Sequence, residues 1–128
     1  MGSQEGHESS IAHVTGQALY VDDVVLPAGA LHVAVGVSEY PRAKLTRMDL
    51  GDVIASRGVV DVITASEIPG ANQVGPVVED EPLLVESDVE YTGQRIFAVA
   101  ANSQELARRA VAQADIECSV KPAVLTIN

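Results

Sequence analysis

Valine is the residue that most constrains what this chain can fold into. Of 128 residues, 20 are valine and 17 are alanine, whereas only four are aromatic. Because branching at Cβ favours the extended backbone, this composition predicts a core built mainly from β-strands. The apolar fraction of 47% is enough for the core of one domain, without a metal ion or a disulfide.

The clearest strand lies at residues 31–37. Its two faces alternate, with Leu31, Val33, Val35 and Val37 on one and His32, Ala34 and Gly36 on the other. Because the second face carries small residues, we expect another element to pack closely there. Further strands are predicted at residues 18–21, 43–50, 59–64 and 94–101. A last strand is predicted where Ile116, Cys118 and Val120 alternate inward. Residues 83–85 are expected to form either an edge strand or an anchor.

One segment has the pattern of an amphipathic helix. Asn102 is a suitable N-cap, Glu105 follows three residues later, and an apolar stripe begins at Leu106. Shorter helical turns are expected at residues 52–57 and 66–70. We therefore predict an α/β (α+β) fold, a mixed sheet with one main helix and short helical turns in a single layered domain. Residues 1–10 are expected to be a mobile tail and residues 11–128 the domain, as a piece of a longer chain.

The charge balance excludes two classes of partner. Eighteen acidic residues face eight basic ones, which gives a net charge of −10. Nucleic acids and anionic membrane surfaces both select basic proteins, so neither is an expected partner. No apolar run is long enough to predict a membrane span. A single cysteine is typical of a reducing compartment, so we expect a cytoplasmic protein.

The residues alone predict no catalytic, cofactor or metal site. His7, His13 and His32 lack the spacing of metal ligands, and Cys118 has no neighbouring cysteine or histidine. The acidic residues 79–81 are expected to be a solvated face, since they lack the pattern of a calcium loop. No glycine-rich phosphate loop is present.

Two carboxylates and two isolated side chains have ordinary structural explanations. Asp22 and Asp23 have the composition of a turn, His32 is expected to be packed, and Cys118 to be a buried structural thiol. A small acidic domain of this kind scaffolds, docks or forms part of a larger enzyme.

Several segments together resemble a known family. The longest are HVTGQALYVDD at residues 13–23, GVVDVITASEIPG at 58–70 and NQVGPVVEDEPLL at 72–84; shorter matches lie at residues 7–10, 29–32, 93–94, 107–110 and 122–126. This ordered set resembles the N-terminal α/β-hammerhead domain of the molybdenum-binding chain of xanthine dehydrogenases, in the xanthine dehydrogenase and aldehyde oxidase family of molybdenum hydroxylases.

The resemblance implies a non-catalytic part of an oxidoreductase that hydroxylates purines. In the family the molybdopterin cofactor, the iron–sulfur clusters and FAD lie in other domains or subunits, so the isolated chain is expected to be inactive and to hold no cofactor. Its implied partners are the molybdopterin-binding domains, with the FAD and iron–sulfur subunits in the same holoenzyme. By the same resemblance, Val74, Pro76, Val77 and Val78 are candidates for an apolar wall of the substrate channel; the alternative is a loop that only covers the core.

Arg95 and Lys121 depart from the family pattern, which leaves their role at a domain interface open. Two other functions also stay open. The chain could be a free-standing module that binds a small ligand between sheet and helix, with a deep pocket as its sign. It could also be an assembly subunit, with an exposed apolar patch as its sign.

Overall fold

A computed structural model describes residues 9–75, 77–124 and 126. These residues form two compact units that divide between Ala30 and Leu31. Of the predicted tail at residues 1–10, only Ser9 and Ser10 lie within the described residues. None of the helices in the described residues has the length and apolar character needed to cross a lipid bilayer.

The described part of the first unit, residues 9–30, contains one short helix and one 3₁₀ turn. Helix α1 (Ser10–Thr15) ends at Gly16, whose φ of 73° is the left-handed conformation that glycine tolerates. The strand predicted at residues 18–21 is wrong, because a 3₁₀ turn (Val21–Asp23) begins there instead. The carboxylate of Asp23 accepts a hydrogen bond from the Tyr20 backbone N–H at 3.1 Å, which closes the turn. The turn expected at Asp22 and Asp23 is confirmed.

The second unit contains six strands and two helices. The strands are β1 (His32–Val37), β2 (Ala43–Asp49), β3 (Val59–Thr64), β4 (Asp88–Val89), β5 (Arg95–Ala101) and β6 (Asp115–Val120). Helix α2 (Gly51–Ala55) lies between β2 and β3, a 3₁₀ turn (Ala65–Glu67) follows β3, and α3 (Gln104–Val111) connects β5 to β6. This confirms the predicted α/β class with one main helix and short helical turns.

The strands form two sheets of three strands each. Sheet A has the order β1-β5-β3 and sheet B the order β4-β2-β6. Every pairing is antiparallel in the described residues, which corrects the prediction of one mixed sheet. The order β5-α3-β6 is typical of a parallel crossover, but β5 and β6 lie in different sheets, so no parallel pair forms.

Helix α3 covers one face of sheet A. Its N-cap is Ser103, whose Oγ accepts a hydrogen bond from the Leu106 N–H at 3.3 Å; the prediction of Asn102 as N-cap is one residue too early. The helix packs against β1 and β5 through the buried Ala107 and Ala110. The apolar stripe predicted for this helix is therefore confirmed at its centre.

The small-residue face of β1 is the one that faces the core, as the close packing expected there requires. Gly36 lies opposite Phe97 in the register of β1 and β5, and a Cβ at Gly36 would overlap the Phe97 ring. Phe97 is fully buried and is the largest side chain of the core. The larger valines of β1 consequently point away from the core.

The two sheets share one core. Val62, Ile96 and Val99 of sheet A belong to the same buried cluster as Ala43 and Val89 of sheet B. Ile116 and Cys118 of β6 pack against this cluster as predicted, whereas Val120 is exposed.

Candidate functional site

The candidate site is the loop of residues 72–84, which runs from sheet A toward sheet B; we call it the valine loop. Its ends are held together by the side chain of Asn72. The Asn72 Nδ2 donates to the Leu84 carbonyl at 2.7 Å, and the Leu84 N–H donates to Asn72 Oδ1 at 2.9 Å. Leu84 and Val85 are buried, and the Val85 N–H donates to the Arg95 carbonyl at 2.8 Å. The base of the loop is therefore fixed to β5, and residues 83–85 act as the predicted anchor.

Two further bonds shape the upper part of the valine loop. The Val74 N–H donates to the Glu81 carbonyl at 2.9 Å, and the Gly75 N–H donates to Gln73 Oε1 at 2.7 Å. A Cβ at Gly75 would collide with the Val78 carbonyl, so the chain can turn back on itself here only with glycine. The loop is thus closed at two levels below its tip.

The tip of the valine loop displays apolar side chains to solvent. Val77 is 91% exposed and Val78 is 62% exposed, and Val74 is also exposed. Pro76, the fourth predicted wall residue, lies outside the described residues. Valines held in water by a closed loop can line an apolar passage once another surface faces them.

Arg95 and Lys121, whose roles the sequence leaves open, both form ion pairs within the domain. Arg95 donates to Glu81 at 3.2 Å, and the Tyr91 hydroxyl donates to the same carboxylate oxygen at 2.8 Å. This hydrogen bond raises the pKa of Tyr91, and burial and the charge of Glu81 act in the same direction. Because Glu81 belongs to the valine loop and Arg95 to β5, their ion pair connects the loop to sheet A. Lys121 pairs with Asp88 of β4.

Among the described residues the other candidate side chains do not converge, and His7 lies outside the described residues. The ring of His13 meets that of Tyr20 edge-to-face, with 6.4 Å between centroids, and His32 is half-buried at the start of β1. Within the described ranges, no three His, Cys, Asp or Glu side chains are grouped as metal ligands. An iron–sulfur cluster requires four thiolates or a similar set, so the single half-buried Cys118 does not fit one.

A cleft that the sequence does not reveal lies between the end of β1, the end of α3 and β6. It measures about 440 Å³, and its walls include Val37, Tyr40, Phe97, Val111, Ile116 and Cys118. Burial raises the pKa of the Cys118 thiol, so the sulfur stays protonated and apolar at neutral pH. The cleft combines side chains from separate elements, and no local pattern in the sequence could have identified it.

Comparisons with known proteins agree with this architecture. A family model described as the α/β hammerhead domain of aldehyde oxidase and xanthine dehydrogenase matches residues 15–122. Xanthine dehydrogenase 1 of Arabidopsis thaliana is 38% identical over all of this chain, and aldehyde oxidase 3 of Rattus norvegicus is 38% identical over 95% of it. The chain spans only 9% of the length of each of these relatives.

Solved structures show the same fold. An aldehyde oxidoreductase from Desulfovibrio gigas matches with a TM-score of 0.78 and 28% identity, over 90% of this chain and 14% of that one. Quinoline 2-oxidoreductase from Pseudomonas putida 86 matches with a TM-score of 0.78 and 27% identity, over 94% of this chain and 16% of that one.

Proposed function

The chain belongs to the aldehyde oxidase and xanthine dehydrogenase family, in which it forms an α/β hammerhead domain, and we propose that it is a non-catalytic structural domain of a xanthine dehydrogenase-type molybdenum hydroxylase. In this proposal the domain packs on the molybdopterin-binding domains of the same enzyme. The valine loop then forms part of the apolar wall along which the substrate reaches the active centre.

The observation that carries the proposal is the construction of the valine loop. Asn72 and the Val74–Glu81 backbone bond close the loop at two levels, so its tip is positioned while Val77 and Val78 stay in water. A loop that only covered the core would turn its apolar side chains inward. An apolar wall must instead be presented outward on a fixed support.

Three finer assignments belong to the same proposal. We propose that the substrate of the holoenzyme is a purine, and relatives named xanthine dehydrogenase support this. The molybdopterin cofactor, the iron–sulfur clusters and FAD would be held by other domains or subunits, and the isolated chain would be inactive. A cytoplasmic location fits the single cysteine.

The test uses the full-length enzyme with Val77→Asp or Val78→Asp. Even a neutral polar group without a hydrogen-bond partner costs about 1–3 kcal/mol in an apolar passage, and a carboxylate costs more, so KM for xanthine should rise at least about tenfold. The turnover number kcat should stay within about twofold, since the reacting groups lie elsewhere. Steady-state kinetics measures both constants.

Val25→Asp is the matched control, because Val25 is also 91% exposed but lies outside the valine loop. This control should leave KM for xanthine unchanged. If both loop variants keep the wild-type KM, the valine loop does not line the passage.

A further inference from the structure

The face of sheet A that points away from α3 is apolar; we call it the outer face. Its apolar side chains are Val33 and Val35 of β1, Ala98 and Ala100 of β5, and Ile63 of β3, and Asp61 of β3 lies on the same face. Val33 lies directly opposite Ala100, and Val35 and Ile63 both lie opposite Ala98. Directly opposed residues of an antiparallel pair share a face, so the five side chains form one continuous surface. Val33, Val35 and Ile63 are all exposed, Val33 by 60%.

This surface differs from a normal solvent-facing sheet. An antiparallel sheet with one wet face alternates apolar and polar residues, as in β6, where Asp115, Glu117 and Ser119 are exposed. The strands of sheet A carry mainly apolar residues on both faces, with Asp61 the charged residue of the outer face among the described residues, and this is typical of a sheet covered on both sides. Helix α3 supplies the layer on one side, and the described residues of the second unit leave Val33, Val35 and Ile63 exposed on the other.

The heights of the side chains on the outer face are suited to packing against a helix. The two alanines of the central strand form a low floor, and β-branched side chains stand on both neighbouring strands. Strands lie about 4.8 Å apart, so these two rows are about 10 Å apart. An α-helix with its side chains is about 10–12 Å wide. Because the side chains of both rows fill part of that spacing, the trough accepts the side chains along one ridge of a helix, and the body of the helix lies above the two rows.

The charge of the surface selects the kind of helix. Asp61 lies opposite Ala100 on the same face and is exposed, and among the described residues its carboxylate accepts a hydrogen bond from the Val62 N–H at 2.9 Å and pairs with no basic side chain. A second copy of the chain would bring a further net charge of −10 against the first. A helix with a basic residue near Asp61 is electrostatically preferred to self-association.

We propose that the outer face docks an amphipathic α-helix, with an apolar side and at least one Lys or Arg, from another domain of the same enzyme. This inference rests on the proposed function. The relatives are more than ten times longer than this chain, which covers 9% of their length, so they contain the sequence from which such a layer can come. The docked helix would complete a three-layer arrangement of helix, sheet and helix.

The test compares Val33→Asp with Val120→Asp, each made in the complete 128-residue chain. The two valines are 60% and 59% exposed and both lie on strands, but only Val33 is on the outer face. Binding to the separately purified remainder of the enzyme is measured by calorimetry. Val33→Asp should weaken the affinity at least tenfold, whereas Val120→Asp should change it less than twofold.

A second variant fills the trough without adding charge. Ala98→Leu raises the floor between the two rows and should weaken binding to a similar degree. Circular dichroism and thermal unfolding verify that each variant is folded. If all three variants bind like the wild type, the outer face is not the docking surface although the domain still docks. If the wild-type chain does not bind at all, the proposed function fails with it.

The shape of the occupant is tested by crosslinking from a photoreactive residue at position 63. Crosslinked partner residues spaced three and four apart would identify a helix, whereas a spacing of two would identify a strand and overturn the proposal. Sedimentation that shows a dimer lost on Val33→Asp would also overturn it, since the occupant would then be a second copy.

Discussion

Sheet A and sheet B each have three antiparallel strands and share one core, but they differ in the side chains that they turn away from it. Sheet A presents valines, isoleucine and alanines, whereas sheet B presents an ionic network. Arg47 of β2 pairs with Asp49 at 3.0 Å, with Asp115 at 2.8 Å and with Glu117 at 3.1 Å. The comparison teaches that the inner faces determine the fold, and the outer faces determine whether a sheet meets water or a partner.

The largest expected change in the free energy of unfolding comes from a substitution on the inner face of sheet A, compared with one on its outer face. Phe97→Ala should lower the free energy of unfolding by about 3–5 kcal/mol, because it removes the largest buried side chain and leaves a cavity. Ile63→Ala on the outer face should cost less than about 1 kcal/mol, since that side chain is already exposed. Urea unfolding of the isolated chain measures both. Equal costs would mean that the outer face contributes to the core.

A smaller effect is expected where β1 and β5 approach each other. Gly36→Ala places a methyl group against the Phe97 ring and should destabilise the domain by about 1–3 kcal/mol. Gly70→Ala is the control, because no atom lies within 4 Å of a Cβ there. Adding Phe97→Leu to Gly36→Ala should cost less than the sum of the two single changes. Strict additivity in the same urea measurement would contradict the contact.

The smallest effect is expected on sheet B, and it depends on pH. The Gly51 N–H and Arg47 lower the pKa of Asp49, and Lys121 and Ser87 lower that of Asp88. Because the unfolded chain then binds protons more readily, these carboxylates stabilise the fold above about pH 4 and lose that contribution as pH falls through their folded pKa values. Thermal unfolding should therefore show the melting temperature falling below about pH 4.

Asp49→Asn should reduce this acid dependence, and added salt should weaken it further, since the network is exposed. Asp52→Asn is the matched control, because within the described residues neither Arg47 nor Lys121 pairs with Asp52. If Asp49→Asn and Asp52→Asn change the acid dependence equally, the ionic network does not stabilise sheet B.

The strands were predictable where a short local pattern was sufficient. Residues 59–64 match β3, and the apolar stripe of α3 contains the buried Ala107 and Ala110. The small residues of β1 predicted close packing on one of its faces, but the sequence could not identify Phe97 as the side chain that packs there, because Phe97 comes much later in the chain. Nor could it show that β5 and β6 belong to different sheets, since strand order along the chain does not define pairing.

The candidate site was predictable in position but not in construction. The segment NQVGPVVEDEPLL locates the valine loop by resemblance, yet nothing in it shows that Asn72 binds both backbone groups of Leu84. The ion pair of Arg95 with Glu81 joins residues 14 positions apart and is equally invisible in the sequence. For the outer face, the sequence showed only that side chains alternate along β1, and it did not show that the valines of β1 share a surface with residues of β5 and β3.

The side chain of Asn72 has a consequence for how this domain can diverge. Its amide imitates a peptide group, donating to Leu84 and accepting from it as a neighbouring strand would. A strand-like bond made by one side chain separates the loop tip energetically from the core below. We therefore expect substitutions at the exposed Val77 and Val78 to leave folding almost unchanged, which would let the loop tip vary while the scaffold is kept.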